Sequence, residues 1–232
     1  MMRVYIGYDA REAEAYRVAV ASLRRRASVP VSIVPLEIGR MRSQGLLNRP
    51  VDARGQQYDL HSQAPQSTEF AVSRFLVPML AQTGVALFVD CDMLFLGDVA
   101  ELFALADPAY AVQVVKHDHR PSRDWKMDGA VQQVYPRKNW SSVMLWNCDH
   151  PANARLSLWD VNHRPGRDLH ALYWLHDTEI GALPPAWNWL VNEQTPPADA
   201  KLAHYTNGGP WFENWAPRFH DELWLEESRR GD

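Results

Sequence analysis

Residues 85–95 read Val85-Ala86-Leu87-Phe88-Val89-Asp90-Cys91-Asp92-Met93-Leu94-Phe95. The short apolar run after Gly84 predicts a buried strand, and two aspartates follow directly at its carboxyl end. Ligands of open α/β sheets bind beyond the carboxyl ends of the strands. Carboxylates two residues apart at such a place can bind one divalent cation, and Mg²⁺ and Mn²⁺ prefer oxygen ligands. The spacing alone fits a solvated turn equally well, but acids between apolar stretches are costly unless they are charge-paired or metal-bound.

The chain before this stretch predicts the surrounding fold. Residues 4–7 form a short β-branched and aromatic run, Asp9 can cap a helix over residues 10–26, and residues 31–36 predict another strand. A strand, a helix and a second strand in succession are typical of a parallel α/β sheet. We therefore expect a Rossmann-like α/β domain with a mostly parallel central sheet flanked by helices.

The chain after this stretch continues the alternation less regularly. Further strands are predicted at residues 110–115, 143–146 and 202–205, and helices at 70–82, 99–106, 152–159, 177–183 and 213–230. Residues 39–66 show no clear period and predict an irregular excursion or lid. No internal repeat or linker interrupts the chain, so residues 1–232 are expected to form a single domain.

Composition excludes several classes of protein. The chain has 232 residues, 46% of them hydrophobic and 22% charged, and a net charge of −4. An acidic chain without a Lys/Arg-rich block is a poor candidate for nucleic-acid binding. No stretch approaches the ~20 apolar residues of a transmembrane segment, and the apolar run before Asp9 is too short for a secretory signal.

The same features bear on location. Two cysteines favour a reduced, cytoplasmic protein. Residues 213–230 are amphipathic but mostly acidic, which favours packing on the domain over membrane binding. Peripheral contact with the cytoplasmic face of a membrane stays open as an alternative. The ten tryptophans are an unusual number for such a chain.

Three later segments extend the pattern that begins at Asp90. These segments and residues 85–93 follow one another in an order and at a spacing that resemble the motifs of GT-A glycosyltransferases, and of family 8 in particular. Members of that family transfer hexoses and other sugars from nucleotide donors with retention of anomeric configuration. The segments are Ser142-Val143-Met144-Leu145-Trp146-Asn147, Asp177-Thr178-Glu179-Ile180 followed by Trp187-Asn188, and His204-Tyr205-Thr206-Asn207-Gly208-Gly209-Pro210-Trp211.

The resemblance implies a metal site and a catalytic acid. His204 would join Asp90 and Asp92 as the third ligand of Mn²⁺ or Mg²⁺, since imidazole and carboxylates together suit these ions. Asp177 would lie near the reacting anomeric carbon, where a carboxylate stabilises an oxocarbenium-like state. From the residues alone, Asp177 can equally cap a helix.

The resemblance also implies binding sites for a nucleotide-sugar donor, expected to be a UDP-sugar, and for a glycan or glycolipid acceptor. The first strand's end would contact the base and ribose, and a guanidinium can bind phosphate or sugar hydroxyls. Residues 116–138 are polar and rich in turn signals, and aromatic rings at this stretch can stack on an acceptor sugar. The donor residues would be Tyr8, Asp9, Arg11, Arg74, Asn207 and Gly208, and the acceptor residues Trp125 and Trp140.

The sequence departs from the family at two places. Family members carry a lysine before the C-terminal Pro-Trp that reaches the diphosphate, and here Gly209 stands there in a segment one residue shorter. Backbone N–H groups of Gly208 and Gly209 can take over this role, and otherwise Lys116, Arg137 or Lys138 must supply the charge. The family's Asn-Ser-Gly before the strand is replaced by residues 140–142, Trp-Ser-Ser.

The leading hypothesis is therefore a metal-dependent retaining glycosyltransferase. One alternative is a metal-dependent phosphoesterase that uses Asp90 and Asp92 with His117 and His119, because His-x-His is also a ligand pattern. Another is a catalytically silent nucleotide-sugar-binding module, which the missing lysine supports.

Overall fold

A computed structural model describes residues 1–52, 58–117, 137 and 139–231 of the chain. These residues form twelve strands and seven α-helices around a hydrophobic core. The strands are β1 (Met2–Gly7), β2 (Val31–Leu36), β3 (Val51–Asp52), β4 (Tyr58–Asp59), β5 (Ala64–Pro65), β6 (Val85–Val89), β7 (Met93–Phe95), β8 (Val112–Val114), β9 (Val143–Asn147), β10 (Ile180–Ala182), β11 (Trp189–Leu190) and β12 (Leu202–His204).

The helices are short apart from the first, and several are preceded by a 3₁₀ turn. They are α1 (Ala13–Arg26), α2 (Ile38–Ser43), α3 (Val77–Ala81), α4 (Val99–Phe103), α5 (Leu158–His163), α6 (Gly166–His170) and α7 (Asp221–Arg229). Among the described residues, no helix combines the length and the apolar content that crossing a bilayer requires.

The main sheet has six strands in the order β10-β8-β9-β6-β1-β2. All of them run in one direction except β9, which is antiparallel to both of its neighbours, β6 and β8. Residues 86–89 of the central strand β6 are fully buried, as expected of a strand covered on both faces. The predicted mostly parallel α/β sheet is thus confirmed.

Asp90, Cys91 and Asp92 lie where the chain passes from the main sheet into a smaller one. The strand before them, β6, belongs to the main sheet, and the strand after them, β7, belongs to a three-stranded sheet of order β11-β12-β7. Cys91 between the two acids is fully buried, and burial raises the pKa of its thiol well above the usual range. The two carboxylates therefore stand at the junction of the sheets with a neutral side chain between them.

The helix predicted over residues 177–183 is wrong. The structure has a 3₁₀ turn at Asp177–Glu179 followed by strand β10, which pairs with β8 in parallel. A Cβ atom at Gly181 would lie 2.5 Å from the ring of Tyr110, so only glycine permits this close pairing. Pro184 also disfavours helical backbone at the residue before it, which explains why strand pairing prevails here.

Other predicted boundaries shift for local reasons. The terminal helix, expected over residues 213–230, begins only at Asp221, after Pro217. The helix expected at 152–159 is a 3₁₀ turn, Pro151–Arg155, followed by α5, because Ser157 caps α5 in a capping box with Asp160. Residues 39–66 are not wholly irregular, since they include most of α2 and a small antiparallel sheet of order β3-β4-β5.

Glu227 in the C-terminal helix α7 forms ion pairs with two arginines at the end of α1. Its buried carboxylate accepts hydrogen bonds from Arg25 Nε at 2.7 Å and from Arg26 Nη2 at 2.8 Å. Burial alone raises the pKa of Glu227, but the hydrogen bonds from the two arginines outweigh it, so the net pKa lies below its ordinary value. The folded state therefore holds Glu227 in its ionised form.

Replacing Glu227 with glutamine is expected to lower the free energy of unfolding by about 2 kcal/mol at neutral pH, because two charge-assisted hydrogen bonds are lost. Since the folded pKa is depressed, this contribution is complete above the ordinary pKa of 4.5 and disappears as the pH falls through the folded value. Urea unfolding of both proteins between pH 7 and pH 3 measures the effect. The exposed Glu222→Gln serves as control, with an expected change below about 0.5 kcal/mol. A difference that grows on acidification would contradict the assignment.

Candidate functional site

Three side chains predicted to bind a metal come together at the junction of the two sheets. One ligand atom from each of Asp90, Asp92 and His204 lies within 4.8 Å of the others. His204 Nε2 is 3.4 Å from Asp92 Oδ1, and the side chains of both residues are almost fully buried. The cause is the pairing of β12 with β7, which sets His204 opposite Met93, one residue after Asp92.

The donor set fits a divalent cation. Two carboxylates and one imidazole suit Mn²⁺ and are compatible with Mg²⁺, both of which keep other positions for water or phosphate oxygens. Among the described residues, this is the one group of three histidine, cysteine or acidic side chains close enough together to hold a metal ion. The burial of the three side chains makes the cluster costly unless positive charge compensates it.

Arg74 supplies part of that positive charge. Its Nη1 lies 2.8 Å from Asp90 Oδ1, and its side chain is only 6% exposed. The guanidinium also donates to the carbonyl oxygens of Ala71 and Ser141 and lies 4.9 Å from the ring centroid of Phe88. Arg74 is therefore buried and fixed beside the acids.

A small polar pocket, with a cavity volume of about 60 Å³, opens onto Asp90, Arg74 and His204. Most of the hydroxyl, amide and imidazole groups in its wall come from residues that sequence reasoning did not single out. For Ser141 and Ser142 the available signal is the Trp-Ser-Ser segment, which stands where the family has Asn-Ser-Gly. These groups belong to Ser67, Asn139, Ser141, Ser142, His170 and Thr206.

The three donor residues predicted near β1 lie at its carboxyl end. Because β1 is parallel to β6, this end is on the same edge of the sheet as Asp90. Asp9 is fully buried and accepts hydrogen bonds from Arg11 Nη2 at 2.7 Å and from the backbone N–H of Glu69 at 3.0 Å. Burial on its own raises the pKa of Asp9, but these hydrogen bonds prevail and hold it below the usual range. The ring of Tyr8 packs edge-on against that of Tyr16, with the ring centroids 5.2 Å apart.

Asp177 and Trp140 are connected through Arg137. The side chain of Asp177 is 85% exposed and forms an ion pair with Arg137, whose guanidinium carbon lies 5.4 Å from the ring centroid of Trp140. Lys116 Nζ lies 5.7 Å from the same ring and donates to the carbonyl oxygen of Ile180. Asp177 is outside the wall of the polar pocket, and Trp125 lies outside the described residues.

The C-terminal motif forms a tight turn after His204. Gly208 has a φ of +97°, which favours glycine, and its N–H donates to the carbonyl oxygen of Tyr205 at 2.8 Å. This N–H is therefore engaged within the chain. Asn207 donates its side-chain amide to Glu193. Of the cations weighed as substitutes for the family lysine, Lys116 and Arg137 have the contacts described above, and Lys138 lies outside the described part.

His117, the described member of the rival histidine pattern, is outside the group of Asp90, Asp92 and His204. His117 is buried, with Nδ1 3.4 Å from the side-chain amide of Gln194. Its partner in the pattern, His119, lies outside the described residues. The group around Asp90 includes His204 and does not include His117.

Comparisons with known proteins give one relative of high identity and many similar folds. No protein-family model matches the chain. Protein CDI of Arabidopsis thaliana is 47% identical over 231 residues, which cover 97% of this chain and 85% of that protein. Among solved structures, a complex of the galactosyltransferase LgtC with donor and acceptor sugar analogs has a TM-score of 0.60 at 12% identity, covering 99% of this chain and 96% of that one.

Two further structures are similar over nearly the whole chain. The glycosyltransferase GlyE of Streptococcus pneumoniae gives a TM-score of 0.59 at 13% identity, and the bifunctional glycosyltransferase WbbM gives 0.60 at 13%. The chain spans 60% of the GlyE chain and 50% of the WbbM chain. At 12–13% identity, the similarity to these structures establishes the fold alone. The 47% identity to the plant protein establishes that the two proteins belong to one family. The chain therefore has the fold of the GT-A glycosyltransferases and belongs to the same family as Protein CDI of Arabidopsis thaliana.

Proposed function

We propose that the protein is a metal-dependent, retaining glycosyltransferase that moves a hexose from a nucleotide sugar, with UDP as the nucleotide, to a hydroxyl of a glycan or glycolipid. The observation that carries the proposal is the group of Asp90, Asp92 and His204, the latter two buried, at the sheet junction of a GT-A fold. The solved structures of similar fold include glycosyltransferases, one of them with donor and acceptor sugar analogs.

The metal group would act on the leaving diphosphate. Asp90, Asp92 and His204 would hold Mn²⁺ or Mg²⁺, which, when bound, neutralises charge on the departing phosphates in place of a general acid. Arg74 keeps Asp90 in position and offsets its charge. The polar groups of the pocket, such as the hydroxyls of Ser141 and Thr206, would bind hydroxyls of the donor sugar.

The roles of the remaining residues follow from the resemblance to family 8. Tyr8, Asp9 and Arg11 at the end of β1 would bind the base and ribose, with Asn207 and Gly208 near the phosphates. Asp177 would stabilise positive charge on the anomeric carbon, held by its ion pair with Arg137. Trp140 and Trp125 would stack on the acceptor sugar. We place this activity in the cytoplasm, with peripheral membrane contact as the variant for a glycolipid acceptor.

A donor screen tests the proposal. The purified chain is mixed with Mn²⁺ and a panel of nucleotide sugars, and thermal shift and release of the nucleoside diphosphate are recorded. One UDP-sugar is expected to raise the melting temperature only when Mn²⁺ is present, and EDTA is expected to remove the effect. Proton NMR of the product reports whether the anomeric configuration is retained. If no nucleotide sugar binds with or without metal, the proposal is wrong.

A silent binding module is the second candidate, because Gly209 stands where the family lysine would be and the Gly208 N–H is already engaged. It predicts donor binding by calorimetry without turnover on any acceptor or on water. The phosphoesterase alternative has no comparable support among the described residues. It predicts hydrolysis of simple phosphate esters that His117→Ala abolishes and His204→Ala leaves intact.

A further inference from the structure

We propose that Asn188 is a positioning residue that sets which ring nitrogen of His204 faces the metal. This inference deepens the proposed function and rests on it for the presence of a metal at His204. Asn188 immediately precedes β11, and its side chain is fully buried. Its Oδ1 lies 3.0 Å from His204 Nδ1, on the side of the ring away from Asp92.

The hydrogen bonds around Asn188 fix the orientation of its amide. Its Nδ2 lies 2.8 Å from Ser142 Oγ and 3.4 Å from the carbonyl oxygen of Asn139. A carbonyl oxygen only accepts, and the Ser142 hydroxyl already donates its single proton to that same carbonyl at 2.7 Å. The amide atom that faces these two oxygens must therefore be the NH₂ group, so the oxygen faces His204.

The proton on His204 follows from this orientation. Because Asn188 Oδ1 can only accept, His204 Nδ1 must carry a proton and donate it. The nitrogen left with a lone pair in the neutral ring is Nε2, which is the atom 3.4 Å from Asp92 Oδ1. A hydrogen bond to one ring nitrogen commonly fixes the tautomer and the direction of the other when histidine binds a metal.

Asn139 and Ser142 belong to a turn over residues 139–142, and this turn also positions Asp90. The carbonyl oxygen of Ser142 accepts the backbone N–H of Asp90 at 3.1 Å, and the carbonyl oxygen of Ser141 accepts a hydrogen bond from Arg74, the ion-pair partner of Asp90. Asn139, which begins the turn, has a φ of 64° in the left-handed region that asparagine tolerates. Residues 139–142 thus position His204 through Asn188 and Asp90 through the backbone.

Nitrogen NMR of the metal-free protein tests the tautomer directly. In ¹⁵N-labelled protein at a pH where His204 is neutral, its resonances are assigned by their loss in His204→Gln. We expect a protonated Nδ1 and an unprotonated Nε2, and in Asn188→Leu a mixture of both tautomers. A wild-type ring protonated at Nε2 and not at Nδ1 would overturn the proposal.

Metal affinity provides the second test. Titration with Mn²⁺, followed by electron paramagnetic resonance, is expected to show binding weakened by about 10- to 100-fold in Asn188→Leu. Asn188→Asp keeps an oxygen for the Nδ1 proton but loses the donor to Ser142 and Asn139, so it is expected to bind Mn²⁺ more tightly than Asn188→Leu. If the leucine variant binds Mn²⁺ as the wild type does, or the aspartate variant is as weak as the leucine variant, the positioning role is refuted.

Asn162→Leu is the matched control, since Asn162 is also buried and donates to the carbonyl oxygens of Leu46 and Leu158, away from the metal group. It is expected to lower stability without changing Mn²⁺ affinity. The two proposals can fail separately. Absence of Mn²⁺ binding in the wild type would count against the glycosyltransferase, whereas the tautomer of His204 is decided by spectra recorded without metal.

Discussion

Asp92→Asn is expected to lower sugar transfer by about a thousandfold. The variant keeps the shape of the side chain but removes a charged ligand from the group formed with Asp90 and His204. A bound metal ion supplies several kcal/mol of transition-state stabilisation, and ~4 kcal/mol corresponds to about a factor of 1,000 in rate. Release of nucleoside diphosphate at saturating donor measures the rate, and calorimetry with Mn²⁺ measures the loss of metal binding.

The matched control is Asp107→Asn. Asp107 is exposed, and its carboxylate accepts a local hydrogen bond from the backbone N–H of Ala109. This variant is expected to keep both metal binding and transfer. If Asp92→Asn transfers sugar at the wild-type rate in the presence of EDTA, the reaction does not need the metal group, and the proposed mechanism is wrong.

Arg49→Met is expected to cost about 3–5 kcal/mol of stability, because it leaves a buried carboxylate without its partner. The side chains of Arg49 and Asp59 are 1% and 0% exposed and form an ion pair. The guanidinium also donates to the carbonyl oxygens of Val161 and Arg164, both at 2.8 Å. This one side chain therefore ties the small sheet of β3, β4 and β5 to helix α5, and urea unfolding measures its contribution.

Two further variants separate the causes. Arg49→Met combined with Asp59→Leu is expected to recover much of the loss, because no uncompensated charge is then buried. Arg17→Met breaks an ion pair with Glu14 in which the side chains are 35% and 45% exposed, and it is expected to cost less than about 1 kcal/mol. Equal losses in Arg49→Met and Arg17→Met would show that burial of the pair does not matter.

Several features of the site could be read from the sequence because they depend on neighbouring residues. Four of the five residues in the apolar run 85–89 are fully buried in the centre of the sheet, and the carboxyl end of such a strand is where Asp90 and Asp92 emerge. Asp9 caps the first helical turn through its hydrogen bond with the Arg11 N–H, 3.0 Å long. His204 was placed in the metal group only by resemblance to a family, since nothing in its own surroundings distinguishes it from other histidines.

Strand β10 shows where local patterns mislead. Residues 177–183 predict a helix, but the glycine at position 181 and the free edge of β8 allow a strand to pair there. The irregular stretch 39–66 is a similar case, because its order depends on Arg49 and its contacts with helix α5.

The sequence by itself determined the parallel α/β architecture, the buried strand β6 and the pair of acids that follows it. Only the tertiary structure decided that Asn188 orients His204 and that Ser142 in turn fixes Asn188. These partners are 16 and 46 residues apart along the chain. Hydrogen bonds over such separations form because strand pairing brings the residues together, and a single sequence carries no periodic or local signal for them.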